Sequence, residues 1–130
     1  LNLAHGERTA KLLTLNNAGT APYTLSRTAA ATACVGALRD AMRVTVVPAG
    51  TVSQTSAVYP RAESCTGTAS FGPAALTGSE TTVLTESDVV DPWDSLTICV
   101  RLHLDLAADN STKSSTYTPT FTITATQVAP

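Results

Sequence analysis

The side chains of this sequence that can do chemistry are two histidines, three cysteines and a set of Asp- and Ser-rich loops. A zinc hydrolase gathers its ligands at fixed spacing, as in His-Glu-x-x-His on one helix face, where the Glu serves as general base. His5 and His103 lie far apart in the chain, and neither belongs to such a motif. Serine is abundant, but no Gly-x-Ser-x-Gly elbow presents one as a nucleophile. Asp88, Asp91 and Asp94 recur at every third position of one loop, and Asp105, Asp109 and Asn110 form a second oxygen-rich corner. Hard oxygens suit Ca²⁺, which takes about six to eight of them, yet the EF-hand pattern is absent and solvated turn carboxylates are the simpler reading. Asn110-Ser-Thr112 is a glycosylation sequon only in a cell with that machinery. The expectation is a protein that is not an enzyme and carries no cofactor and no metal.

The elements that position these residues read as strands. Ser95 to Leu104 alternates strictly, with Leu96, Ile98, Val100, Leu102 and Leu104 on one face and Ser95, Thr97, Cys99, Arg101 and His103 on the other. A strand apolar on one side and polar on the other belongs to an antiparallel sheet with one wet face, and His103 beside Arg101 reads as a solvated histidine. Tyr117 to Gln127 repeats the pattern: Tyr117, Pro119, Phe121, Ile123 and Ala125 oppose five threonines, which keep strand propensity high on a wet face. Pro119 places the start of that strand at a sheet edge or bulge. Earlier, Thr9 to Leu15 reads as a strand ending in the turn Asn16-Asn-Ala-Gly19, and Pro22 to Ala33 as a second, weaker strand. Gly36 to Ala41 has the composition of a short helix, feeding a strand through Met42, Val44 and Val46. Residues 49–68 show no sustained period and read as a long surface connection, with a weak strand following near Thr81 to Leu84. Six or more short strands and one minor helix predict an all-β, antiparallel β-sandwich of jelly-roll type.

Among the cysteines, Cys99 points away from the apolar face of its strand, so a partner can reach it across the sheet surface. Cys65 sits in the long connection that needs anchoring. A Cys65–Cys99 disulfide with Cys34 left over is the favoured pairing and Cys34–Cys65 the alternative, since spacing does not decide connectivity. Trp93, the single tryptophan, stands in an acidic turn. It either caps the end of the sandwich, the favoured role because aromatics mostly bury their area, or serves as an exposed contact for a sugar or a subunit.

With 130 residues and 43% hydrophobic content, residues 1–130 make one domain with a real core. A net charge of −2, with no run of Lys or Arg, excludes an electrostatic footprint for nucleic acid. The apolar runs fall far short of the ~20 residues that span a bilayer, so no membrane insertion is expected. Few charges, three cysteines and much Thr, Ser and Ala predict a secreted protein, extracellular or on the cell surface. The chain opens at Leu1 without a leader pattern, as a processed or truncated form would.

In the order of its motifs the sequence resembles the TasA/camelysin family of secreted proteins exported through a SipW-type signal peptidase. The matching stretches are Leu3-Ala-His-Gly-Glu7, Ala10 to Leu15 with Asn17-Ala-Gly19, Asp91-Pro-Trp-Asp-Ser95 with the strand Leu96 to Leu104, Ala108-Asp-Asn110, and Phe121 to Gln127. His5 stands where the family usually has Pro and Trp93 where it usually has Gly. The resemblance implies a jelly roll that lacks an upstream N-terminal strand here. It also implies self-assembly into a homopolymeric extracellular filament, of a biofilm matrix or cell surface, in which one subunit's strand completes the next subunit's sheet, with matrix polysaccharide as a possible partner. On that reading Tyr117, Phe121 and Ile123 form the core face of the assembly strand. A monomeric module binding surface glycans, with Trp93 at its contact, is the alternative. A secreted protease, suggested only by the reputation of camelysin relatives, is the least favoured.

Overall fold

The computed structural model describes residues 3–33, 36–85 and 89–129. The chain builds an all-β sandwich from β1 (Arg8–Asn16), β2 (Tyr23–Ala33), β3 (Met42–Pro48), β4 (Thr51–Ser56), β5 (Ala62–Thr66), β6 (Phe71–Ala74), β7 (Thr81–Thr85), β8 (Ser95–Leu104) and β9 (Tyr117–Gln127). One helix, α1 (Gly36–Ala41), feeds directly into β3, and a 3-10 turn covers Asn110–Thr112. The larger sheet has six strands in the order β4-β5-β1-β8-β3-β6, and the smaller has three in the order β7-β2-β9.

The alternation read in β8 sets the core. Ile98 and Val100 pack with Val44 and Val46 of β3 against Ala29, Ala31, Val83 and Leu84 of the smaller sheet, and Leu76 fills the space between them. Ala29 and Ala31 explain the weak signal of β2: small side chains at its inner positions leave room for the larger residues of the opposite sheet. Arg27 is also turned inward, between Leu25 and Ala29, and is only 2% exposed. A second small cluster (Leu38, Met42 and Leu104) closes one end of the sandwich beneath α1.

Residues 49–68 correct the sequence reading. Instead of an irregular connection they form the antiparallel hairpin β4–β5, registered from Thr51↔Thr66 to Ser56↔Ala62. The period was invisible because all of β4 from Thr51 to Thr55 is exposed, so no face needed to be apolar. The hairpin touches the larger sheet in parallel at Arg8↔Ala62, then crosses the outer face of β8, where Ala10, Val47, Cys99 and Cys65 form a third apolar cluster. The sheets therefore do not divide four and four as in a complete jelly roll. β4–β5 belongs to the larger sheet, and β7 and β9 flank β2 on either side in the smaller one. β6 also escaped the pattern because it reads Phe-Gly-Pro-Ala. It passes so close to β3 that a Cβ on Gly72, whose φ is +80°, would lie 2.0 Å from the Val44 carbonyl oxygen.

Candidate functional site

The features of the described residues that can act on other molecules are an edge, a turn, a cleft and a charged face. The edge is β9. It pairs with β2 over the whole run from Tyr23↔Gln127 to Ala33↔Tyr117 without a register shift, and it is the last strand of its sheet. Its opposite side presents amide and carbonyl groups with no ladder partner among the described residues, and Pro119, which lacks an N–H, is tolerated there for that reason. Tyr117 and Phe121 pack against the main core, as the sequence predicts. Ile123 does not: it is 38% exposed, and Ala125 and Gln127 beyond it are exposed as well. The second half of β9 thus has the alternation of a core strand without the cover of one.

The turn is Asp91-Pro92-Trp93-Asp94, closed by the Asp94 N–H donating to the Asp91 carbonyl at 3.1 Å. Pro at the second position and φ of 71° at Trp93 are the marks of a type II turn, whose third position favours glycine. The Trp93 N–H donates to the Asn17 carbonyl at 2.8 Å. Asn17 is itself buried, and its side-chain amide donates to the Ala21 and Val90 carbonyls at 3.0 Å each. The backbone at this end is therefore held, while the indole is 77% exposed. This corrects the expected cap: the ring stands in solvent instead of covering the end of the sandwich. The companion residues Glu86 and Asp88 of the acidic loop lie outside the described residues.

The disulfide joins Cys65 to Cys99, the pairing that the outward direction of Cys99 and the length of the connection around Cys65 favoured. Cys99 is fully buried beneath the hairpin. Cys34, expected to be left over, lies outside the described residues.

Two carboxylates fix the place where β5 leaves β1. Glu7, 4% exposed, accepts from the Ala4 N–H at 2.7 Å and the Arg61 N–H at 3.1 Å, and pairs with the Arg61 guanidinium at 3.3 Å. These bonds, Ala4 foremost, hold its pKa down to about 2 from the usual 4.5. Glu63 accepts from the Ala10 N–H at 2.8 Å and the Thr9 hydroxyl at 2.9 Å, satisfying an edge amide of β1 where the parallel pairing ends, and the same contacts lower its pKa. A depressed carboxylate contributes stability that is present above its unfolded pKa and lost as pH falls through the folded one. For Glu7 that window runs from about 4.5 down to about 2. The urea midpoint of the protein is therefore expected to fall across this window. Glu7→Gln should flatten the fall and cost about 1–3 kcal/mol at neutral pH, because it leaves the buried donors poorly matched. Chemical denaturation at several pH values checks both.

A cleft of about 860 Å³ opens at the α1 end, with Leu38, Met42, Leu102 and Leu104 on its floor and His5, Thr112 and Lys113 on its rim. The Tyr117 hydroxyl is buried there with no hydrogen-bond partner among the described residues, and burial raises its pKa. His5 Nε2 lies 3.5 Å from the Thr112 hydroxyl. The acidic corner nearby is occupied by its own backbone: Asp105 accepts from the Ala107 N–H at 3.0 Å and Asp109 from the Ser111 N–H at 2.6 Å. Among the described residues no three His, Cys, Asp or Glu side chains gather as a metal site would require.

The outer face of β8 departs from the sequence reading. His103 is half-buried, and burial, followed by the charges of Arg101 and Arg8, pushes its pKa down; Asp105 acts in the opposite sense. The sequence shows Arg101 and His103 two positions apart, but Arg8 and Arg43 join them only through strand register. The chain matches no family model, no curated protein and no solved structure.

Proposed function

We propose that this domain is a non-catalytic building block of an extracellular filament, its copies joined by strand addition along the free edge of β9. The observation that carries the reading is that edge: an eleven-residue strand, regular to its end, whose Ile123 lies on the core-facing side yet stays 38% exposed. Main-chain pairing by a neighbour's strand supplies the missing hydrogen bonds, and the neighbour's side chains cover Ile123 and Ala125. A head-to-tail contact of this kind repeats into a fibre rather than closing into a ring. The disulfide suits an oxidising compartment, and among the described residues no helix is long and apolar enough to cross a membrane. The motif order shared with TasA/camelysin proteins points the same way. Electron microscopy and sedimentation of the native protein test the proposal: filaments with a regular subunit repeat are expected, and monomeric particles under all native conditions reject it.

Trp93 favours a second reading, a glycan-binding module. A bulky residue at a position suited to glycine costs about 1 kcal/mol or more, and here the ring gains no packing in return, being 77% exposed. An exposed indole offers a flat apolar face to a sugar ring. Trp93→Gly is expected to stabilise the isolated domain by about 0.5–1 kcal/mol in chemical denaturation, by relieving the backbone. The same change should abolish retention on surface glycans. A loss of stability would mean that the indole packs, and undiminished retention would end the glycan reading.

A further inference from the structure

The outer face of the larger sheet carries a grid of cations that neither the filament nor the glycan reading uses. Register places Arg8 of β1 and Arg43 of β3 directly on either side of His103 of β8, and places Ala10 and Thr45 on either side of Arg101, one step along the same face. Neighbouring strands lie about 4.8 Å apart, so the two outer arginines start about 10 Å from each other, within reach of one small group held above His103. The Arg101 Nη2 donates to the Thr45 hydroxyl at 3.2 Å, while its Nε is buried without a hydrogen-bond partner among the described residues.

The grid is under-neutralised. Asp105 approaches Arg43 at 3.7 Å and is, among the described residues, the one carboxylate whose charge acts on His103. Glu7 is committed to Ala4 and Arg61, and Glu63 to Thr9 and Ala10. Three guanidiniums thus face one carboxylate, in a chain whose net charge is −2. Arg101 lies diagonally from both Arg8 and Arg43, within reach for long side chains of like charge to repel, so the arrangement weakens the fold unless an anion sits among them.

We propose that Arg8, Arg43, Arg101 and His103 form a binding site for an oxyanion group: sulfate, phosphate or a carboxylate. Guanidinium forks match the paired oxygens of such groups in geometry and charge, and the half-buried setting strengthens the contact compared with one in open water. The site stands whether or not the domain polymerises. Its ligand is either a free inorganic anion or the acidic group of an extracellular polymer.

Binding can be read at His103 by NMR. The groups acting on that imidazole are Arg101, Arg8, Asp105 and Arg43, and an added anion opposes the three cations. Titration with sulfate at constant ionic strength should raise the His103 pKa by about half a unit or more, and sulfate affinity should rise as pH falls through that pKa. Arg101→Gln and, as a more exposed substitution, Arg43→Gln should each weaken sulfate binding about tenfold. Lys113→Gln, on a different loop, should leave it unchanged. A parallel titration with polygalacturonate separates the sources: a polymer that binds more tightly than sulfate identifies an acidic glycan, and sulfate binding alone identifies a free anion. If the His103 pKa does not move with either, or moves in Arg101→Gln and Arg43→Gln as readily as in the unsubstituted protein, the site does not exist.

Discussion

Replacing both bridged cysteines (Cys65→Ala with Cys99→Ala) is expected to lower the unfolding free energy by about 4 kcal/mol, the chain-entropy value for a loop closed across a separation of 34 residues. The loss should concentrate in the β4–β5 hairpin. That hairpin meets the rest of the larger sheet at a single parallel pair, Arg8↔Ala62, and every residue from Thr51 to Thr55 is exposed. Without the bond it is held by Glu63, by the Glu7–Arg61 pair and by the small cluster around Val47 and Ala10. Urea unfolding should therefore show a lower midpoint, and hydrogen exchange should show amides 51–66 losing protection before those of β8. A loss below about 1 kcal/mol would mean that the hairpin is held by its packing and not by its bridge.

The second large effect separates folding from assembly on one strand. Phe121 packs on the main core and pairs in register with the buried Ala29. Phe121→Asp removes a large apolar contact and drives a carboxylate toward the space between the sheets, together costing about 3–5 kcal/mol or more, enough to unfold a domain of ordinary stability. Ile123 lies two positions further along the same face but is 38% exposed, so Ile123→Lys should cost less than about 1 kcal/mol. Circular dichroism and microscopy on the pair should then give an unfolded Phe121→Asp and a folded Ile123→Lys that forms no filaments. Normal filaments from Ile123→Lys would remove β9 as the joining edge, and a folded Phe121→Asp would remove the face assignment itself.

The parts legible in the sequence are those where one face is buried and the other wet. β8 and the first half of β9 carry an apolar core face, although the hairpin also buries Cys99 on the other side of β8, and the strand bounds match the alternation. α1 and β3 were legible for a related reason, since the period changes at Met42 where the helix meets the strand. β4 has no buried face and so leaves no period. β6 contains Gly72 and Pro73, residues that argue against a strand, and is kept as one by a close approach to β3. The same limit applies to the sites. Cys99 announced its direction because direction follows from alternation. The cation grid could not be seen, because its members lie on three strands and meet only through pairing. Trp93 was misjudged because aromatic side chains usually bury, whereas here the turn that carries it leaves the indole 77% exposed.

The position of the bridge near the end of β5 has a kinetic meaning. Cys65 stands one residue before the close of that strand, so nearly all of the hairpin can peel from the sheet while its root stays fixed to β8. A segment leashed in this way returns as an intramolecular partner, at an effective concentration on the order of millimolar, and re-zips far faster than a free chain finds a neighbour. The least protected edge of the larger sheet is thus exposed only briefly. In a molecule that uses another edge to recruit copies of itself, the leash keeps the wrong edge from competing.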